Sequence, residues 1–440
     1  MHRILSHTVL LVAAFFFSQN SGAQQQDSLL TDATLPQVVQ YAIFHQPIVN
    51  QAKVDESITN EQIKSRLADW LPQVNFAYNL QHNFQVQTNI IGGNPVKLGV
   101  DNISNAQFTL KQTIFNPDVL LASRTKERLQ EQSHQNTILN EIDVAAEAAR
   151  AFYAVLAVQQ QILVSETDID RIKRSLQDAY NQYQAGIADK IDYKRTTIAL
   201  NNAEAALATS KVALEARTMY LKTVIGYPEK APISLSYDSL QLEQDIVLDT
   251  LQLPDYTQRI EYQLLQSQND LLKSNVQYQK WAYLPELSLN GAYNMNFLNN
   301  DFGKLYNTNY PNSFAGLSLT IPIFQGGKRN ANIRMAEWQL KRNEWDILNL
   351  RHQVSSEYAQ AMAAYKSNYA NYLALKENRE LAQEVYDVLQ LQYKSGIKTY
   401  LEVIAAETDL RNARTNYTHA LYQLLSSKID VQKSLGLLTY

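Results

Sequence analysis

The chain repeats itself. Trp70-Leu71-Pro72-Gln73-Val74-Asn75-Phe76-Ala77-Tyr78-Asn79 returns as Tyr283-Leu284-Pro285-Glu286-Leu287-Ser288-Leu289, with Ala292-Tyr293-Asn294 close behind. Thr113-Ile114-Phe115-Asn116 returns as Pro322-Ile323-Phe324-Gln325, and Tyr183-Gln184-Ala185-Gly186-Ile187 as Tyr393-Lys394-Ser395-Gly396-Ile397. Asn202-Ala203 matches Asn412-Ala413, and Ile225-Gly226 matches Leu435-Gly436. The five pairs keep their order and share an offset of about 210 residues. One such pair is compatible with chance. An ordered set is a duplication, so both halves must build one supersecondary unit.

Within a unit the order reads helix, strand, strand, very long helix, tip, long helix. The first helix is expected over about Leu35–Leu67 and its counterpart over about Asp255–Ala282, each stopping before a proline, Pro72 or Pro285. Apolar and polar residues then alternate with period two. Val74, Phe76, Tyr78 and Leu80 share one face; so do Ala106, Phe108 and Leu110, then Leu287, Leu289 and Tyr293, then Leu317, Leu319, Ile321 and Ile323. The opposite faces carry amides and hydroxyls, as a water-lined surface does. Strands are placed at about 73–87, 103–115, 286–298 and 313–324, with exposed loops between the paired strands.

A soluble sandwich would alternate in the same way, but here the strands stand as two isolated pairs among helices. The alternation therefore favours a barrel in a membrane, with aromatics such as Phe84, Phe115, Phe314 and Phe324 at its margins. Four strands close no transmembrane barrel, since the smallest have ~8. An open sheet edge in lipid leaves backbone groups unpaired, so several chains must share one barrel.

From about Asp118 to Gln184 there is neither proline nor glycine, enough for a helix of roughly 100 Å. The mirrored stretch runs from about Lys328 to Ser395. Each is followed, past the matched glycines Gly186 and Gly396, by a return helix, about Asp189–Val224 and Thr399–Leu435. Ile191, Ile198, Ala205, Val212 and Met219 recur in steps of seven, which predicts coiled-coil packing between the arms of a hairpin. Alanines at 145, 146, 148, 149, 151 and 154, and again at 359, 361, 363 and 364, suggest close helix approach.

The start, Met1–Ala23, has the basic, apolar and small-residue order of an export signal, with an apolar run too short to span a bilayer. The organisation expected is thus a signal over 1–23, a first repeat over 24–226 with its tip at 184–192, a connecting segment over 227–254 that forms a small folded belt, and a second repeat over 255–440 with its tip at 394–402. The chain has no cysteine, which removes disulfides, thiolate metal sites and a Cys nucleophile. With a net charge of −4 and no basic block, it offers nucleic acid no surface. Its histidines are scattered and no matched carboxylates stand at ligand spacing, so no catalytic, metal or cofactor site is expected. Asp168 with Asp170, and Glu402 with Glu407, read as exposed helix charges.

The early Leu35, Ala42 and Gln46-Pro47, then Leu71-Pro72 before a strand, carry a family resemblance. So do Tyr393-Lys394-Ser395-Gly396-Ile397-Lys398-Thr399-Tyr400-Leu401-Glu402-Val403, Asn412-Ala413-Arg414 and Ser434-Leu435-Gly436. Over essentially the whole length after the signal, the chain resembles the TolC-like family of outer-membrane efflux factors. The resemblance implies a mainly α protein with a transmembrane β-barrel, a homotrimer with a 12-strand barrel in outer-membrane lipid and a 12-helix periplasmic tunnel. It further implies docking to a periplasmic adaptor and an inner-membrane pump, passive conduction outward and no chemistry. An exported coiled-coil structural or adaptor protein is the alternative, and it would not need matched strand pairs.

Carried over by position, the resemblance makes Asp192, Tyr393, Lys398 and Glu402 the periplasmic gate. Tyr393 and Lys398 would face Asp192, and Glu402 would form an acidic ring. Three positions depart from the family: Lys398 replaces the usual arginine, Ile191 a small polar residue, and Ala405 a second acid. The tips Gln184, Ala185, Gly186 and Ile187, and Lys394, Ser395, Gly396 and Ile397, are the implied adaptor contacts.

Overall fold

The computed structural model describes residues 30–438 apart from 188, 237–242, 244–245 and 250–252. The signal segment 1–23 and residues 237–242, 244–245 and 250–252 of the connecting segment 227–254 therefore lie outside the described residues. In chain order come α1 (Leu35–His45), α2 (Pro47–Ala68), β1 (Gln73–His82), β2 (Thr88–Ile91), β3 (Asn94–Lys97), β4 (Asn102–Phe115), α3 (Pro117–Gln184) and α4 (Lys190–Ile225). The second half repeats the plan as α5 (Ile260–Trp281), β5 (Glu286–Asn299), β6 (Asn312–Thr320), α6 (Lys328–Lys394) and α7 (Tyr400–Leu435).

Several elements differ from the sequence reading, each for a local reason. The first helix is broken in two because Pro47 removes the N–H that would continue α1, and Gln46 turns extended between them. Its amide instead donates to the Val224 carbonyl at 2.9 Å, fastening the break to the end of α4. The strand expected to 87 stops at His82. Residues 88–97 form a separate ribbon, turned by Gly92 and Gly93, both at positive φ, as a tight two-residue hairpin requires. The strand expected to 324 ends at Thr320, just before Pro322 and the Gly326-Gly327 pair that leads into α6. Helix α5 starts at Ile260, after a short 3-10 turn over Tyr256–Gln258.

The four long strands form one antiparallel sheet in the order β1-β4-β5-β6. The two repeats meet at its centre, where Phe108 lies opposite both Phe76 and Tyr293. One face gathers Val74, Phe76, Phe108, Tyr293, Leu317 and Leu319, all exposed. The other carries asparagines that bond across strands, Asn105 to Asn296 and Asn294 to Asn312. A wide apolar face backed by an amide ladder suits a wall between lipid and water. No described helix is long and apolar enough to cross a membrane.

Below the sheet the helices lie side by side as α2–α3–α5–α6, and further down as α4–α3–α7–α6. The main core sits where α1, the start of α2, α3, α4 and α7 converge, around Val38, Val49, Phe152, Leu156, Leu221, Ile225 and Leu424. Ala145, Ala146, Ala148, Ala149 and Ala151 are buried there, whereas Ala359, Ala363 and Ala364 on α6 are exposed. The duplicated alanines thus differ in burial because α6, unlike α3, lies at the edge of the protomer.

The heptad series Ile191, Ile198, Ala205, Val212 and Met219 also corrects an expectation. It faces outward, with Ile198 60% and Val212 67% exposed, while Thr196, Ala203 and Leu221 meet the neighbouring helices. Each layer therefore ends in two unpartnered edges, β1, α2 and α4 on one side and β6 and α6 on the other.

Gly226 ends α4 at φ +69°, and a Cβ there would lie 2.7 Å from the His45 carbonyl oxygen. At Gly186, φ +71°, a Cβ would meet nothing within 4 Å. Gly226→Ala is expected to cost more thermal stability than Gly186→Ala, which carries only the ~1–2 kcal/mol of a left-handed backbone at a non-glycine residue. Calorimetry of the two variants checks the order; equal losses would contradict the close approach.

Candidate gate at the hairpin tips

The two tips are built alike. Ile187 N–H donates to the Gln182 carbonyl and Gly186 N–H to that of Tyr183; Ile397 and Gly396 repeat both bonds to Gln392 and Tyr393. Glycine at positive φ permits this cap, and it leaves Ile187 and Ile397 exposed at the extreme end, beside the equally exposed Gln184, Ala185, Lys394 and Ser395.

The return helices start differently. Asp189 caps α4 by accepting from Ile191 N–H at 2.8 Å. On α7, Thr399 and Glu402 form a reciprocal capping box. Glu402 also accepts from Lys398 Nζ at 2.7 Å. The structure thus brings Lys398 to Glu402, one turn away on the same helix end, and not to Asp192. A lysine has a single charged centre, and the i,i+4 carboxylate lies within its reach without crossing to the other hairpin. Asp192 is half-buried and has no ion pair among the described residues.

The Lys398 ammonium, with the Thr399 N–H and hydroxyl, holds the Glu402 carboxyl down at about 2. A depressed acid supports the helix start while ionised and loses that role only as pH falls toward 2. Glu402 is therefore expected to stay charged from pH 7 to 4, with a flat carboxylate carbon shift by NMR. A titration midpoint above 4 would contradict the capping box.

What joins the hairpins is tyrosine. Tyr393 on α6 donates to Gln182 Oε1 on α3 at 2.6 Å. Tyr400, at the start of α7, shares a buried 2.8 Å hydrogen bond with Thr196 Oγ1 on α4. The two rings lie 5.3 Å apart, and Tyr193 packs against Tyr180 and Tyr183 on the first hairpin. Burial above all pushes the Tyr400 hydroxyl up to about 12, so it keeps its proton throughout the physiological range. Of the expected gate residues, only Tyr393 bonds across to the other hairpin. Thr196, Gln182 and Tyr400 were not singled out from sequence, although Tyr400 stands within the motif quoted for the second tip.

A second cross-hairpin cluster corrects the reading of Asp168 and Glu407 as exposed charges. They are 1% and 8% exposed, respectively, and both pair with Arg171 between α3 and α7. Nothing in the local pattern marks them, because burial comes from two helices more than 200 residues apart in sequence.

An amphipathic sheet with open edges, continued into two capped helical hairpins, defines a class: a protomer of an outer-membrane channel. The comparisons agree. The family model described as outer membrane efflux protein matches residues 38–227 and 263–437, and the chain belongs to that family. It is 22% identical over 435 residues to outer membrane protein TolC of Escherichia coli (strain K12), covering 93% of this chain and 84% of TolC. It is 21% identical to the proteases secretion protein PrtF of Dickeya chrysanthemi, over 95% of this chain and 90% of PrtF. Among solved structures, CusC superposes with a TM-score of 0.72 at 17% identity, covering 91% of each chain. The open state of the Neisseria gonorrhoeae MtrE outer membrane channel gives 0.71 at 18%, covering 91% of this chain and 88% of MtrE. The protein is accordingly an outer-membrane channel subunit of efflux or secretion systems, in a family of channels and not of enzymes.

Proposed function

We propose that three copies of this chain close one barrel and one periplasmic tube, and that the tips form its gate and its docking surface. The observation that carries this reading is the pair of unlike open edges. The free edges of β1 and β6, and the free faces of α2 or α4 and of α6, come from opposite repeats and face opposite ways. Such a surface joins head to tail, and a head-to-tail contact that closes on itself makes a ring. Three copies supply twelve long strands, above the ~8 that a transmembrane barrel needs. The exposed heptad of α4 then gains a partner in the edge helix α6 of the next copy.

On this reading Gln184–Ile187 and Lys394–Ile397 meet a periplasmic adaptor. Exposed Ile187 and Ile397 supply apolar contacts, and the adaptor connects the tube to an inner-membrane pump. Substrates pass passively from periplasm to exterior. Asp192, Tyr393, Lys398 and Glu402 surround the entrance; Tyr393 latches the hairpins, while Lys398 and Glu402 form a charged pair at each α7 start. Purification from outer-membrane fractions should yield detergent-requiring trimers that conduct in planar bilayers. A freely soluble monomer would overturn the proposal.

A further inference from the structure

The seam between α3 and α7 changes character along its length. In the main core, residues between Val144 and Leu156 of α3 and between Tyr417 and Leu435 of α7 bury apolar side chains. At the tip, Ala179 joins Tyr386, Tyr400, Val403, Ala406 and Leu410. The layer between is ionic. Arg171 donates from Nε to Glu407 Oε1 at 2.9 Å and from Nη2 to Asp168 Oδ1, and Arg414 Nη1 stands 3.5 Å from the same oxygen. Arg411 on α7 adds a further positive charge facing both acids. From α6, the Tyr386 ring lies under the Arg171 guanidinium at 4.9 Å, and Gln383 accepts from Arg414 at 2.6 Å.

This layer is incompletely satisfied. Of the five buried side-chain polar atoms without a partner among the described residues, three lie in or beside it: Asp168 Oδ2, Tyr386 OH and Gln161 Oε1. Just above it the structure is pinned. Glu243 of the connecting segment accepts from Tyr417 at 2.7 Å and from Lys376 at 3.0 Å, and the Arg379 guanidinium stacks on the Tyr417 ring at 4.1 Å.

Parting two apolar surfaces exposes them to water at full cost. Parting a buried ionic layer returns its charges and its orphaned atoms to water, and that gain offsets most of the attraction lost. We propose that the Asp168–Arg171–Glu407–Arg414 layer is the release plane of the second hairpin. It holds α7 in one register against α3 when closed, yet separates readily below the Glu243–Tyr417 pin once the tip latch is undone. These are positioning residues, and the inference rests on the reading of the tips as a gate.

The test uses full-length trimers in planar bilayers. Asp168→Leu with Arg171→Met, Glu407→Leu and Arg414→Met replaces the layer with apolar contacts. It should keep or raise the melting temperature of the trimer and lower open probability roughly tenfold. Asp168→Asn with Glu407→Gln leaves the half-buried Arg171 and Arg414 without counter-charge and should raise opening several-fold. Opposite signs support a release plane. Changes of the same sign, or a quadruple variant that melts earlier with unchanged opening, overturn it in favour of simple cohesion. If the quadruple variant fails to assemble, unchanged opening in the isosteric pair overturns it alone. The tip reading fails separately, if removal of the tyrosine latch leaves conductance unchanged.

Discussion

A chain carrying Ile198→Asp and Val212→Asp is expected to be recovered as a monomer with no channel activity. Both side chains lie on the outward heptad of α4, more than half exposed in the isolated protomer. Burying an isoleucine or valine is worth about 1.5–3 kcal/mol. Replacing each with a carboxylate forfeits that gain and adds the cost of desolvating a charge against an apolar partner. The contact recurs at every interface of a closed ring, so the losses multiply, and assembly should fall by far more than tenfold. The fold of the protomer should survive, because the core-facing positions Thr196, Ala203 and Leu221 are untouched. Size-exclusion chromatography with light scattering reads the oligomer, and far-UV circular dichroism reads the helices. Intact trimers would show that α4 is not an interface.

Removing the hydroxyls of Tyr393 and Tyr400 should open the entrance. Tyr393→Phe with Tyr400→Phe keeps both rings and their 5.3 Å contact, and deletes the hydroxyl bonds to Gln182 and Thr196 together with the Tyr400 contact to Ser175. A hydrogen bond of this kind contributes about 1 kcal/mol net. Two such bonds recur in each protomer of the proposed trimer, so its proposed closed state loses roughly 6 kcal/mol if the protomers open together. Single-channel conductance in planar bilayers should rise several-fold. By contrast, Lys398→Ala should act weakly, since its partner Glu402 lies on its own hairpin and the pair is exposed. A larger effect from Lys398→Ala than from the tyrosine pair would restore the expectation that Lys398 crosses to Asp192.

These two experiments fall on opposite sides of what could be read from the sequence. The heptad of α4 was visible in the spacing of Ile191, Ile198, Ala205, Val212 and Met219, but spacing cannot say which neighbour a stripe meets. A hairpin partner and a second copy leave the same period. The tip glycines were legible because a left-handed cap admits few other residues, and both tips carry the same bonds. Tyr400 and Thr196 were not, since an aromatic and a hydroxyl on separate helices meet only when both hairpins are folded.

By itself, the sequence determined the repeat, the helical hairpins, the strand faces and the glycine caps. Each is set by local geometry: a backbone preference, a missing N–H, or a period of two or seven. Only the tertiary structure decided which faces stay open and which charges are buried. Asp168 and Glu407 look like any solvated helix acids until α3 and α7 meet around Arg171. Burial depends on what arrives from elsewhere in the chain, and no local pattern carries that information.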